Sequence, residues 1–124
     1  MILVIEDHVA LGDGIRIMLE AEGHDVTLVG SGEEALAYLA GHRPRLVILD
    51  VSLPGISGLD VLRHVRADPN LRDVPVIVDT ASPLPQVEDE VARAGATLIG
   101  KHSDAFLDLP AIVADRLAAP GGKR

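Results

Sequence analysis

The 124-residue chain has no cysteine. It therefore has no disulfide, no zinc–thiolate site and no thiol nucleophile, and it suits a reducing compartment such as the cytoplasm. Aromatic side chains are almost missing, with one tyrosine, Tyr38, and one phenylalanine, Phe106. The stacking platforms of single-strand nucleic-acid binders are thus excluded. The formal net charge of −8 repels polyanions. Arg43/Arg45 and Arg63/Arg66 are scattered along the sequence and Lys123-Arg124 is a short basic end, so neither a basic patch nor direct nucleic-acid binding is expected. No apolar run approaches the ~20 residues of a membrane helix, so no membrane association is expected. The start, Met1 to Ile5, is apolar but short. It runs straight into Glu6-Asp7 without a basic leader, and is not expected to be a signal peptide.

What is present is an alternation of two periodicities. Ile2–Ile5, Asp25–Val29, Arg45–Leu49, Val76–Asp79 and Thr97–Gly100 read as strands. Between them, apolar residues recur at helical spacing, as in Leu11, Ile15, Met18 and Leu19, with Gly23 closing that helix. Ser31 with Glu34 predicts a capping box for the second helix. Gly58 opens the third, which ends near Asp68-Pro69. Pro83 and Pro85 begin the fourth, through about Ala94. The last helix is expected from Asp104 to about Ala119, with Pro110 in a first turn or at a kink, because an interior proline costs ~3 kcal/mol. Five strand–helix units without a linker predict one α/β domain over residues 1–119 and a flexible tail over 120–124. The expected sheet is parallel and doubly wound, of order 2-1-3-4-5, with helices on both faces (flavodoxin-like).

In such a sheet the carboxyl ends of the strands form one edge and hold the ligand crevice. Glu6, Asp7, Asp50, Thr80 and Lys101 all fall at or just past strand ends. Carboxylates gathered at one point repel unless a cation compensates, and Mg²⁺ suits an oxygen set completed by water and phosphate. An exposed Asp50 carboxylate there can attack phosphorus. Lys101 can hold a phosphoryl oxygen as a point charge, Thr80 can donate to another, and Ala81 leaves room. Each residue also has an ordinary reading. Asp7 stands where a helix N-cap would, Asp50 where a loop cap would, and a lone lysine is commonly solvated.

These residues resemble the receiver domain of bacterial two-component response regulators, in particular the single-domain chemotaxis-regulator type, over nearly the whole chain. Ile2-Leu3-Val4-Ile5-Glu6-Asp7-His8 resembles the family's first strand and acidic pair. Asp50-Val51-Ser52-Leu53-Pro54-Gly55-Ile56-Ser57-Gly58 resembles the phosphoacceptor segment. Thr80-Ala81 resembles the hydroxyl-small pair, and Lys101 the invariant lysine. The resemblance implies that Asp50 accepts a phosphoryl group from a sensor histidine kinase or a histidine phosphotransfer protein. It implies Mg²⁺ on Glu6, Asp7, Asp50 and the Ser52 backbone carbonyl, with Thr80 and Lys101 sensing the phosphoryl group. Ser52 and Ser82 take the positions that flank it. An unidentified downstream protein and a homodimer are the further partners implied.

The chain departs from the family in one region. His102 replaces the usual proline after Lys101, and Leu98 replaces a frequent aromatic. The stretch from Gly95 to Lys101 is one residue short. Asp79 places a charge within a buried strand and calls for a basic partner or an early strand end. Phosphorylation chemistry with an unconventional output switch is the reading that follows. A receiver that only docks is the alternative. An aspartyl-nucleophile phosphohydrolase is a weaker one, since Ser52 stands where those enzymes carry a second aspartate. A flavin-binding domain of similar topology is also a weak reading, since the chain has no phosphate-cradling loop rich in Ser, Thr and Gly after the first strand.

Overall fold

The apolar runs lie side by side, as strands buried on both faces must. The computed structural model describes residues 1–81, 84–101 and 104–118. Its elements in order are β1 (Ile2–Ile5), α1 (Val9–Glu20), β2 (Val26–Val29), α2 (Gly32–Leu39), β3 (Leu46–Asp50), α3 (Gly58–Ala67), β4 (Val76–Thr80), α4 (Pro85–Arg93), β5 (Thr97–Gly100), α5 (Asp104–Leu107) and α6 (Leu109–Ala118). All strand pairs are parallel, in the order β2-β1-β3-β4-β5 expected from the sequence.

Side chains of a strand alternate between faces, and that alternation splits the interior into two cores. Leu3, Ile5, Val47, Leu49, Val76 and Val78 pack against α2, α3 and α4. Ile2, Val4, Leu46, Ile48, Ile77 and Ile99 pack against α1 and α6. Continuing each strand by one step places Glu6, Asp50 and Asp79 in register with the second set, on the α1/α6 face. Thr80 falls in register with the first. Register fixes their height, since Ile5 pairs with Leu49, Asp50 with Asp79 and Thr80 with Gly100.

Five expectations need correction. The span expected as one last helix is two, broken at Asp108, and Pro110 lies in the first turn of α6, where its missing N–H costs nothing. The cap of α1 is His8 rather than Asp7: its Nδ1 accepts from the Leu11 amide at 3.2 Å. Ser31 caps α2 as expected, but Glu34 accepts from the Gly30 amide rather than closing the box on Ser31. The full capping box is at Ser57 and Asp60, opening α3. Finally, the arginines are not scattered in space. Arg43, Arg45, Arg66, Arg72, Arg93 and Arg116 converge on one cavity at the amino edge of the sheet. β4 also runs on through Asp79 to Thr80 instead of ending early. Pro83 and residues 119–124 lie outside the described residues.

The loop from β3 to α3 depends on two glycines. Gly55 has φ +73, a conformation that side chains disfavour. Gly58 packs so tightly that a Cβ would run into the Asp50 carbonyl. A helical glycine is ordinarily ~1 kcal/mol worse than alanine. At Gly14, in the middle of α1 with nothing near its missing Cβ, Gly14→Ala should stabilise by about 0.5–1 kcal/mol. Gly58→Ala should reverse the sign and cost on the order of 2–4 kcal/mol, because backbone must move. Denaturant midpoints of the two variants check both signs; similar midpoints would mean that Gly58 is not a steric requirement.

Candidate functional site

The carboxyl edge gathers the five residues expected from the sequence, and adds a sixth. Glu6, Asp50, Asp79 and Thr80 are each at most 3% exposed, so Asp50, expected from the sequence to be exposed, is instead buried. Asp7 is exposed. Oxygens of Glu6, Asp7 and Asp50 lie within 4.8 Å of one another, close enough to share a metal ion. Lys101 is carried there by β5: its amide donates to the Thr80 carbonyl at 2.9 Å, extending the β4–β5 ladder by one step. Its Nζ then donates to Asp50 Oδ2 at 3.1 Å and to Glu6 Oε1 at 3.2 Å, and lies 3.9 Å from Asp79 Oδ1. The other Asp50 oxygen, Oδ1, accepts from the Ser52 amide at 3.1 Å. Glu6 Oε2 accepts from the His8 amide at 3.1 Å. The two inward-facing acids are thus pinned at both oxygens, each by one amide and one ammonium.

The loop below is braced from outside. The Val51 amide donates to the Asp79 carbonyl at 3.2 Å and the Gly58 amide to the Val51 carbonyl at 3.0 Å. Glu33 on α2 accepts from the Ile56 amide at 3.2 Å, holding the turn at Gly55. Ser52 and Ala81 are exposed at the rim. Leu98 is half-buried against the α2/α3/α4 core. Ser82 and His102 lie outside the described residues.

Electrostatics explain why a cation belongs here. Burial raises the Glu6 pKa and the Asp50 charge adds to this, against the His8 amide and Lys101. Burial alone would lower the Lys101 pKa, but the hydrogen bond and charge of Asp50, then Asp79 and Glu6, hold it above the usual value. Paired partners shifting the same way is consistent: one ammonium gains three acids, while each acid has a share of one ammonium. Asp79 bears the consequence. Burial pushes its pKa up from 3.8 to about 7, with Lys101 opposing and Asp50 and Glu6 reinforcing. Its Oδ1 has no hydrogen-bond partner among the described residues. Asp79 is the residue the sequence reading left unplaced; its strand parity with Ile77 and its position one step before Thr80 were the available signal. The basic partner it called for is Lys101.

The site does not coincide with the arginine-lined cavity. That cavity, of about 610 Å³, is at the opposite edge. The acids are marked instead by chemistry.

Comparison with known proteins agrees with this geometry. Residues 2–104 match the family described as the response regulator receiver domain. The chain is 42% identical over 80 residues to the DNA-binding response regulator MtrA of Mycolicibacterium paratuberculosis, a match covering 64% of this chain and 34% of that protein. It therefore spans about a third of the length of that relative. It is 33% identical over 94 residues to the polar-differentiation response regulator DivK of Brucella anthropi, covering 76% of each. Among solved structures, the receiver domain of the sensor histidine kinase PA1611 from Pseudomonas aeruginosa superposes with a TM-score of 0.83. That match has 29% identity and covers 95% of this chain and 97% of that one; magnesium is coordinated in its active-site cleft.

The Asp79 pKa gives a stability signature with a definite sign. A carboxyl that titrates at about 7 folded and 3.8 unfolded binds its proton more tightly when folded. Its contribution is favourable below the lower value and is lost as pH rises through the upper one. In metal-free buffer, Asp79→Asn should therefore stabilise at pH ~8 by on the order of 1–4 kcal/mol, the gain vanishing near pH ~4. Urea unfolding at both pH values checks this. An equal gain at both would mean that Asp79 does not titrate between them.

Proposed function

The chain belongs to the response regulator receiver domain family, and from that premise we propose that Asp50 accepts a phosphoryl group from a phosphohistidine on a sensor histidine kinase or phosphotransfer protein. The observation that carries this reading is the pinning of Asp50. Its carboxylate is held by the Ser52 amide and the Lys101 ammonium, with Glu6 and Asp7 oxygens close by. In the transfer an Asp50 oxygen forms the new P–O bond as the P–N bond breaks, and the imidazole nitrogen takes up a proton. Transfer of this kind needs positioning and charge compensation more than covalent machinery.

The oxygen donors of Glu6, Asp7 and Asp50 fit Mg²⁺, with the Ser52 backbone carbonyl as a further ligand; the ion supplies charge neutralisation for the phosphoryl oxygens. Four carboxyl groups against one ammonium leave a negative excess that a divalent cation removes. Lys101 holds a phosphoryl oxygen once Asp50 carries the group, and Thr80 hydrogen-bonds another. Ala81 at the rim leaves space.

The domain works as a signalling module over residues 1–119 rather than as a turnover enzyme. Ser52, exposed two residues after Asp50, offers no general acid–base of the kind aspartyl phosphohydrolases use. Its effect passes through protein contacts in the cytoplasm, with homodimerisation as one form of output. The switch differs from the family pattern because Leu98, packed in the core, has no polar tip to exchange between inward and outward positions. A phosphoryl-mimic complex with the usual inward swing at position 98 would count against that part.

Intact mass after incubation with acetyl phosphate tests the central reading. One phosphoryl adduct should form with Mg²⁺, fail to form with chelator, and disappear in Asp50→Ala. No adduct on a protein that demonstrably binds Mg²⁺ would leave a receiver that only docks.

A further inference from the structure

The cavity at the amino edge of the sheet carries a charge that the chain as a whole does not. Its walls hold six of the nine arginines of a protein whose net charge is −8. Asp73 is the one acid among its lining residues. It lies at the amino edge of the sheet, at the far end of every strand from Asp50, so its chemistry is independent of the phosphoacceptor.

Some of these cations have structural duties. Arg66 is consumed: its Nε donates to the Ala94 carbonyl at 2.6 Å, and its Nη1 to those of Val74 at 2.7 Å and Arg72 at 3.1 Å. Arg93 pairs with Asp89 at 2.7 Å. Arg66, Arg93 and Arg116 all lie in the last turns of their helices, where a cation offsets the helix dipole. These three need no ligand to explain them.

Arg43, Arg45 and Arg72 do. None lies in a helix. Among the described residues, the side chains of Arg45 and Arg72 make no hydrogen bond or ion pair. Arg43 donates through Nε to the Asn70 carbonyl at 2.8 Å, which leaves its terminal nitrogens unengaged among the described residues. Three exposed guanidinium groups line one concavity, with Asp73 as the one acid among the lining residues. The cavity, at about 610 Å³, falls within the ~300–1,000 Å³ of small-molecule sites. Arginine forks match phosphate oxygens two at a time. The surrounding negative surface disfavours an extended polyanion but does not prevent a compact one from entering the cavity.

We propose that this cavity is a binding site for a small polyphosphate anion, of the class of a nucleoside di- or triphosphate, held by Arg43, Arg45 and Arg72. The strands whose amino ends it touches carry Asp50 and Thr80 at their other ends, so an occupant there adjoins the same rigid elements.

The test is a titration of the ¹⁵N-labelled full chain with inorganic tripolyphosphate in low-salt, Mg²⁺-free buffer, followed by amide shifts. Shifts should concentrate at Arg45, Asp73 and Gly95, and leave the amides of Glu6 and Asp50 in place. Arg45→Ala/Arg72→Ala should weaken binding by about tenfold or more, since two bidentate contacts are lost. Arg45→Lys/Arg72→Lys, which keeps the charge and the fold, should weaken it by roughly severalfold because the fork is lost. Arg63→Ala, removing a cation outside the cavity, should change it less than about twofold. Unchanged affinity in the double variants would overturn the proposal. So would equal shifts with sulfate at matched ionic strength. Tighter binding of a poly-glutamate peptide than of tripolyphosphate would replace the small anion with an acidic protein segment.

Discussion

Concentration of negative charge at the end of a buried sheet is the constraint on which the site depends. Strand alternation places Glu6, Asp50 and Asp79 on one face, and register sets them level. Lys101 is the one ammonium they share. An unpaired buried carboxylate is strongly disfavoured. The arrangement tolerates three because backbone amides from Ser52 and His8 share the load and because Asp79 holds its proton up to about pH 7. The raised Asp79 pKa comes first from burial, and the neighbouring acids that reinforce it are the same ones that make the site suited to a cation.

Precision at Asp50 comes from packing some distance away. The two cores fix β3 from both faces, so the only freedom left at its end is in the loop to α3. That loop closes on itself through Val51 and Gly58, is tied to β4 at Asp79, and is clasped by Glu33 at Ile56. A carboxylate mounted in this way can meet an incoming phosphoryl group without reorganising, which is how position substitutes for covalent chemistry.

Much of this was legible in the sequence, for physical reasons that also explain the misses. Strands buried on both faces must be continuously apolar, so β1, β3 and β4 were visible, and the polar residues ending them marked the carboxyl edge. Sheet order followed from the alternation of elements. What failed was local or long-range. His8 took the cap of α1 because its ring nitrogen reaches the Leu11 amide, a competition between neighbours that propensity does not decide. The break at Asp108 was masked by a continuous apolar pattern on either side. Asp79 looked anomalous because its partner, Lys101, is on another strand. The arginines looked scattered for the same reason: they sit before β3, before β4 and at the ends of α3, α4 and α6, places that only the parallel topology brings together.

The same topology explains why the charges separate at all. In a parallel α/β fold, helix N-termini gather at the carboxyl edge and C-termini at the amino edge, so the macrodipoles favour acids at one end and cations at the other. Glu6 accepting from the amide at the head of α1, and Arg66, Arg93 and Arg116 in the last turns of their helices, follow this rule. What the rule does not cover is informative. Asp50 and Asp79 belong to strands, and Arg45 and Arg72 to loops outside any helix. No dipole calls for them, so their placement has to be accounted for by what surrounds them. At the acidic end Lys101 supplies part of the counter-charge, and the acid cluster has the donors a divalent cation would need. At the basic end, by the same reasoning, the proposed counter-charge is an anion compact enough to enter the cavity.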